Sequence, residues 1–286
     1  MAGAGRHAAD QVEAHARQDV RRASPILVAL GRFGYAAEGL VYLLIGVLAM
    51  QVALGRGGET TDNKGVLVRI AGAPLGRVLL IAIAIGFVGY AAWRFCEAVL
   101  DPEQKGSDAQ GIATRLGFAI TGTLHLGFAV SVVRLLQTGN AGANTDTAAK
   151  GGTAELLSKP FGQWLVGLVG LGVIGFAGWQ FYQAIKAKFR DNADLAAMNK
   201  TEEELYTTLG RIGYAARGVV FVVIGLFLIV AARNANPQDA RGLDTALAEF
   251  ATRPFGPWLL GVTALGFVAY GLFLFAEARF HRIEVA

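Results

Sequence analysis

The chain has 286 residues, 53% hydrophobic and only 17% charged, with 38 glycines and a formal net charge of +4. Soluble domains carry about 25% charged residues, so this balance excludes an ordinary soluble domain and fits packed membrane helices, whose interfaces favour small residues. The one cysteine, Cys96, excludes an internal disulfide and reads as a small buried hydrophobe. Lys and Arg flank apolar runs rather than forming a patch, so nucleic acid is not an expected partner.

Residues 1–25 make a polar tail with Arg6, Arg17, Arg21 and Arg22, expected in the cytoplasm. Residues 8–22 suit either a surface helix or no order. Six apolar runs follow, near 28–53, 75–99, 113–137, 161–185, 208–232 and 255–279. Each is long enough to span a bilayer, which takes about 20 residues. The first is too long for the core of a signal peptide.

The odd runs share an opening motif. Gly31-Arg32-Phe33-Gly34-Tyr35-Ala36 returns as Thr114-Arg115-Leu116-Gly117-Phe118-Ala119 and as Gly210-Arg211-Ile212-Gly213-Tyr214-Ala215. The even runs share another. Pro74, Pro160 and Pro254 precede them, Gly76, Gly162 and Gly256 follow two residues on, and Gly86, Gly172 and Gly266 align. Tyr90, Phe176 and Tyr270 then correspond, as do Trp93, Trp179 and Phe273. The prolines are expected in the first helical turn, and the last aromatics in the interfacial belt.

The unit is therefore helix, loop, helix, used three times: 26–100, 108–190 and 203–283. Two spans per unit give all units one orientation, as in parallel repeats. The predicted fold is an all-α membrane protein of six transmembrane helices in three tandem parallel repeats. A pseudo-threefold bundle is the natural closure, and a row of three pairs the alternative. The side holding the termini carries more Lys and Arg, which predicts cytoplasmic termini. Thr201-Glu202-Glu203-Glu204 reads as a helix start. Short helices are expected before each proline, along the outer membrane surface.

Ionisable groups inside a bilayer face the bundle interior and find partners. Glu38, Thr121 and Arg217 occupy one repeat position, with Tyr42, His125 and Phe221 one turn deeper. These predict an intramembrane polar cluster of Glu38, Thr121, Arg217, His125 and Tyr42. A Glu38–Arg217 clamp is the structural reading, and a waypoint for a proton, ion or anionic solute the functional one. At the cytoplasmic interface, Arg32 is expected to pair with Glu97, Arg115 with Gln183 and Arg211 with Glu277. No spacing supports a metal site, a cofactor motif or a catalytic constellation, so an enzyme is not expected.

The two motifs together, with Pro160-Phe161-Gly162 and Pro254-Phe255-Gly256 leading to aromatic-rich helix ends, resemble a bacterial membrane family known as domain of unknown function 1206. Its two-helix unit typically occurs three times. The resemblance spans about residues 28–280 and implies a multi-pass protein of the bacterial plasma (inner) membrane. It implies no activity, cofactor or site residue. Two functions are then weighed. One is a structural or accessory bundle that docks membrane lipid or another membrane protein. The other is a transporter or channel along the pseudo-threefold axis.

Overall fold

The computed structural model describes residues 2–56, 59–101, 106 and 108–282; for 2–27, Leu100 and Gln110 it describes the backbone alone. Nine α-helices appear among these residues: α1 (Ala2–Ala53), α2 (Asn63–Ala71), α3 (Gly76–Leu100), α4 (Ala109–Thr138), α5 (Thr145–Leu157), α6 (Gly162–Lys186), α7 (Lys200–Asn234), α8 (Leu243–Thr252) and α9 (Gly256–Phe280). Six hold stretches long and apolar enough to cross a membrane: Val28–Ala53, Gly76–Val99, Gly111–Thr138, Gly162–Lys186, Lys200–Asn234 and Gly256–Phe280. The backbone of α1 runs unbroken through the polar tail, so no separate surface helix forms over 8–22. Asn199 starts α7, its side chain accepting from Glu202 N–H while Glu202 reaches back, a capping box.

The packing is a ring of helices opened at one seam. At each junction between repeats an even helix packs on the next odd one: α3 on α4, α6 on α7, and α9 on α1. Within repeats, α1 packs on α3 and α7 on α9, but α4 and α6 make no comparable contact among the described residues. The α1–α9 junction is a reciprocal backbone approach. A Cβ added at Gly39 would lie 2.8 Å from Gly271 O, and one at Gly271 would lie 2.7 Å from Gly39 O.

The prolines do not sit in the first helical turn. Leu75, Phe161 and Phe255 follow them as N-caps in the left-handed region, all with φ near 60°, and the helices begin at the next glycine. That glycine is forced. A Cβ at Gly76, Gly162 or Gly256 would lie 1.8, 2.4 or 2.3 Å from the carbonyl oxygen of Ile70, Leu156 or Ala251. The chain turns back from a short helix into a span there without room for a side chain. The bulky left-handed residues point outward and are exposed, as are Val78, Trp164 and Trp258 one turn on. Exposed aromatics thus stand at the starts of two even helices, and Trp179, expected in the belt, is exposed near the end of α6. Trp93 and Phe273, expected in that belt, are buried in the core.

The short helices turn their apolar side into the protein: Val66, Leu67 and Ile70 on α2, Ala246, Leu247 and Phe250 on α8. Their first turns interlock. Asp62 Oδ2 accepts from Thr145 N–H at 2.6 Å, and Asp146 accepts from Gly242 N–H at 2.6 Å and the Thr245 hydroxyl at 2.7 Å. Asp244 accepts from Asn144 Nδ2 at 3.2 Å and the Thr145 hydroxyl at 3.3 Å. The first repeat thereby caps the short helix of the second and the second that of the third, while Asp244 returns side-chain contacts to the second.

Candidate functional site: a polar core and an open seam

The interior of the ring is polar at two levels. Near the terminal face, Glu277 on α9 accepts from the Tyr206 hydroxyl, and its other oxygen lies 2.5 Å from His281 Nδ1. His281 Nε2 lies 3.4 Å from the Tyr35 hydroxyl. Arg94 joins this level to the next. It donates to Glu97 at 2.7 Å, to the Tyr35 hydroxyl at 3.1 Å and to the Tyr90 hydroxyl at 2.5 Å. Helical spacing aligns these groups: Tyr35, Glu38 and Tyr42 share one face of α1, and Phe87, Tyr90, Arg94 and Glu97 one face of α3.

Deeper, His125 Nδ1 lies 2.8 Å from its own helix's Thr121 carbonyl, and Nε2 lies 3.4 Å from Glu38 Oε2. The imidazole is walled by Tyr90 at 4.5 Å and Phe87 at 5.6 Å between ring centres. Arg217 enters from α7. It donates to the Tyr270 hydroxyl, and its guanidinium carbon lies 4.4 Å from that ring, 5.3 Å from Tyr42 and 5.7 Å from Phe221. These are cation–π distances.

Glu38, His125, Arg217 and Tyr42 therefore do converge, but the pairing differs from expectation. The Glu38 carboxyl faces His125 rather than Arg217, and Arg217 is held by a hydroxyl and three rings. Thr121 donates its hydroxyl back to Gly117 O at 2.8 Å, so it holds its own helix rather than the cluster. The three interfacial pairs also form differently. Arg94, three residues ahead on the same helix, takes Glu97, while Arg32 is exposed in a groove with Asp194 and Arg282. Arg115 donates to the Ala98 and Val99 carbonyls at 2.9 and 3.0 Å, capping the end of α3 rather than meeting Gln183. Glu277 takes Tyr206 and His281, and Arg211 is exposed. Arg94 wins Glu97 by proximity on one helix and Arg115 is satisfied by backbone carbonyls, while the exposed Arg32 and Arg211 are left to solvent or lipid phosphate.

Sequence reasoning missed Tyr35, Tyr90, Arg94, Tyr206, Tyr270 and His281. Arg94 carried a signal: it stands at i−3 from Glu97. His281 carried the same kind of signal, standing at i+4 from Glu277.

The chain matches one family model three times, over residues 33–101, 116–187 and 212–281. Its description is Domain of Unknown Function (DUF1206). The chain belongs to this family. A protein of Bacillus subtilis (strain 168) described as "Uncharacterized protein YxxB" is 38% identical over 250 residues, covering 87% of this chain and 89% of that one. No solved structure matches. Each DUF1206 unit ends on the C-cap of its even helix, Asp101, Ala187 or His281. Glu277 and His281 thus fall inside the third unit, whereas Tyr206, which donates to Glu277, and Phe189, which packs on Tyr206, come from the connector.

The three DUF1206 units differ, position by position, in what covers them. Trp93 and Phe273 are 0% and 1% exposed, whereas the equivalent Trp179 is 52% exposed. Tyr90 and Tyr270 are 3% and 4% exposed, against 44% for Phe176. On the facing helix, Val41 and Val220 are 1% and 2% exposed, against 59% for Leu124. Glycines behave alike. A Cβ at Gly34 or Gly213 would lie 2.4 or 2.6 Å from the Cβ of Tyr90 or Tyr270, while Gly117, Gly172, Gly175 and Gly178 face open space. One position explains the difference. Ala37 lies against Gly86 and Ala216 against Gly266, but Ile120 stands where those alanines stand. A branched side chain cannot enter the glycine notch that admits a methyl. The second hairpin therefore stays open, and two complete helix faces meant for packing are displayed at membrane depth.

Proposed function

We propose that this DUF1206 protein is an accessory bundle of the bacterial inner membrane whose open seam receives a transmembrane helix of another protein. The observation that carries this is the exposure of Val169, Gly172, Phe176 and Trp179 on α6 and of Gly117, Ile120 and Leu124 on α4. The corresponding faces of the sister hairpins are covered by a helix through the same positions. A lipid chain offers no backbone to pack on glycine, whereas a helix with small or aromatic side chains does. The packed interior supports an accessory role over a conduit, since rings enclose both Arg217 and His125. No catalytic role is proposed for any residue. The Lys and Arg excess on the terminal side supports cytoplasmic termini, which a C-terminal reporter active only in the cytoplasm would test.

The docking reading is tested by placing a photoreactive phenylalanine analogue at position 179 in the full chain in its host membrane. A discrete adduct with a second membrane protein, lost when Gly172→Trp fills the seam, is the expected result. Adducts only with lipid, or only with another copy of this chain, overturn it.

A further inference from the structure

We propose that Glu38 and His125 form a proton-binding site at mid-depth in the bundle, with the terminal face as its access side. The argument starts from hydrogen-bond chemistry. A carbonyl oxygen only accepts, so the 2.8 Å contact with Thr121 O requires the hydrogen of His125 to be on Nδ1. In a neutral imidazole, Nε2 then presents a lone pair. That lone pair would confront the Glu38 carboxylate 3.4 Å away, buried where bulk water does not screen the repulsion. One additional proton turns the repulsion into attraction, whether it sits on Nε2 or on the carboxyl. The site therefore takes up a single proton and needs no rearrangement to hold it.

The groups around the pair set its charge. From α1 come Tyr35 and Tyr42, from α3 Tyr90 and Arg94, and from α7 Arg217. Two guanidiniums near one carboxyl keep the neighbourhood from repelling the anion when the proton leaves. The second imidazole–carboxyl pair, His281 with Glu277, stands at the terminal face beside a groove lined by Arg32, Asp194 and Arg282. Its Nε2 meets the Tyr35 hydroxyl, and Arg94 holds the Tyr35 and Tyr90 hydroxyls together. Tyr35 precedes Glu38 by less than one helical turn, and the Tyr90 ring lies against His125. The transfer is a proton alone. The Tyr35 hydroxyl gives its proton to the Glu38 carboxylate, inward on the same face of α1, as its oxygen takes the Nε2 proton of a protonated His281, and the reverse order empties the site.

The test is nitrogen NMR of the full-length protein, labelled with 15N-histidine, in lipid nanodiscs at neutral pH, with His125 assigned by loss of its signals in His125→Asn. Infrared spectroscopy reads the Glu38 carboxyl by difference against Glu38→Gln. The expected result is either a doubly protonated His125 or a protonated Glu38 carboxyl. A neutral His125 alongside an ionised Glu38 overturns the site. Access is read from exchange of the His125 ring hydrogens into D2O. Tyr35→Phe keeps the ring and its packing, and should slow exchange about tenfold or more with the shifts unchanged. An unchanged exchange rate overturns the terminal face as the route.

Discussion

Gly39 and Gly271 show how far one methyl group matters here. Each backbone sits where the other's Cβ would be, with carbonyl oxygens 2.8 and 2.7 Å from the added atom. Ala at either site must push α1 from α9. We expect a loss of about 1–3 kcal/mol, seen as a lower Tm in detergent. Gly175→Ala and Gly178→Ala meet open space and should leave Tm unchanged, so the pair of results separates packed glycines from displayed ones. The repeat alignment gives Glu38, Thr121 and Arg217 one repeat position, and that correspondence is legible from spacing alone. The partners are not. Whether Glu38 meets Arg217 or His125 depends on helix rotation by a fraction of a turn, and Arg94 outcompetes Arg32 for Glu97 through proximity on one helix. Neither fact is written in hydropathy.

At the scale of the element, the six spans were readable because an apolar run of bilayer length, repeated six times, needs lipid around it. The break in the second hairpin was readable too, in principle. Ile120 against Ala37 and Ala216 is a size difference at a helix contact, visible once the copies are aligned. It was missed because aligned positions invite the search for what is shared. Ile120→Ala should let α4 approach α6. The measurement is thiol labelling of Gly172→Cys in a Cys96→Ser background by a lipid-phase reagent. Ile120→Ala is expected to slow labelling several-fold, and unchanged labelling would remove Ile120 as the cause of the opening. The belt aromatics were misplaced for a related reason. Trp near a helix end suits an interface, but α1 and α7 cover those ends in two units of three, burying Trp93 and Phe273.

For the whole molecule, the loop-face network gives the ring a dependence on acidity. Burial, hydrogen bonding with Asp146 and the charges of Asp146 and Asp62 push the Asp244 carboxyl up to about 6. Asp146 itself is shifted down: burial opposes the shift, but hydrogen bonds from Thr245 and Gly242 and the nearby Lys150 outweigh it. Linkage sets the signs. A raised acid stabilises the fold below its unfolded pKa, and that contribution is lost as pH rises through about 6. The Asp146 contribution is present above its unfolded value, near 3.8, and is lost only in stronger acid. Of this pair, only the Asp244 contribution changes between pH 5 and 8. Thermal unfolding across that range should show a decline on the order of 1 kcal/mol, reduced by solvent screening of this half-exposed group. Asp244→Asn should flatten it. An equal slope in the variant would assign the decline elsewhere.

The left-handed Leu75, Phe161 and Phe255 bear on how the protein floats. A side chain at that backbone angle costs about 1–2 kcal/mol, and glycine would relieve it. Yet three bulky apolar groups stand there instead, one at the head of each even helix, all on the loop side and all facing outward. Together with Trp164 and Trp258 they make a buoyancy line along the loop side. With one such anchor per repeat at the same helix position, a thicker or thinner bilayer should leave the loop side moored.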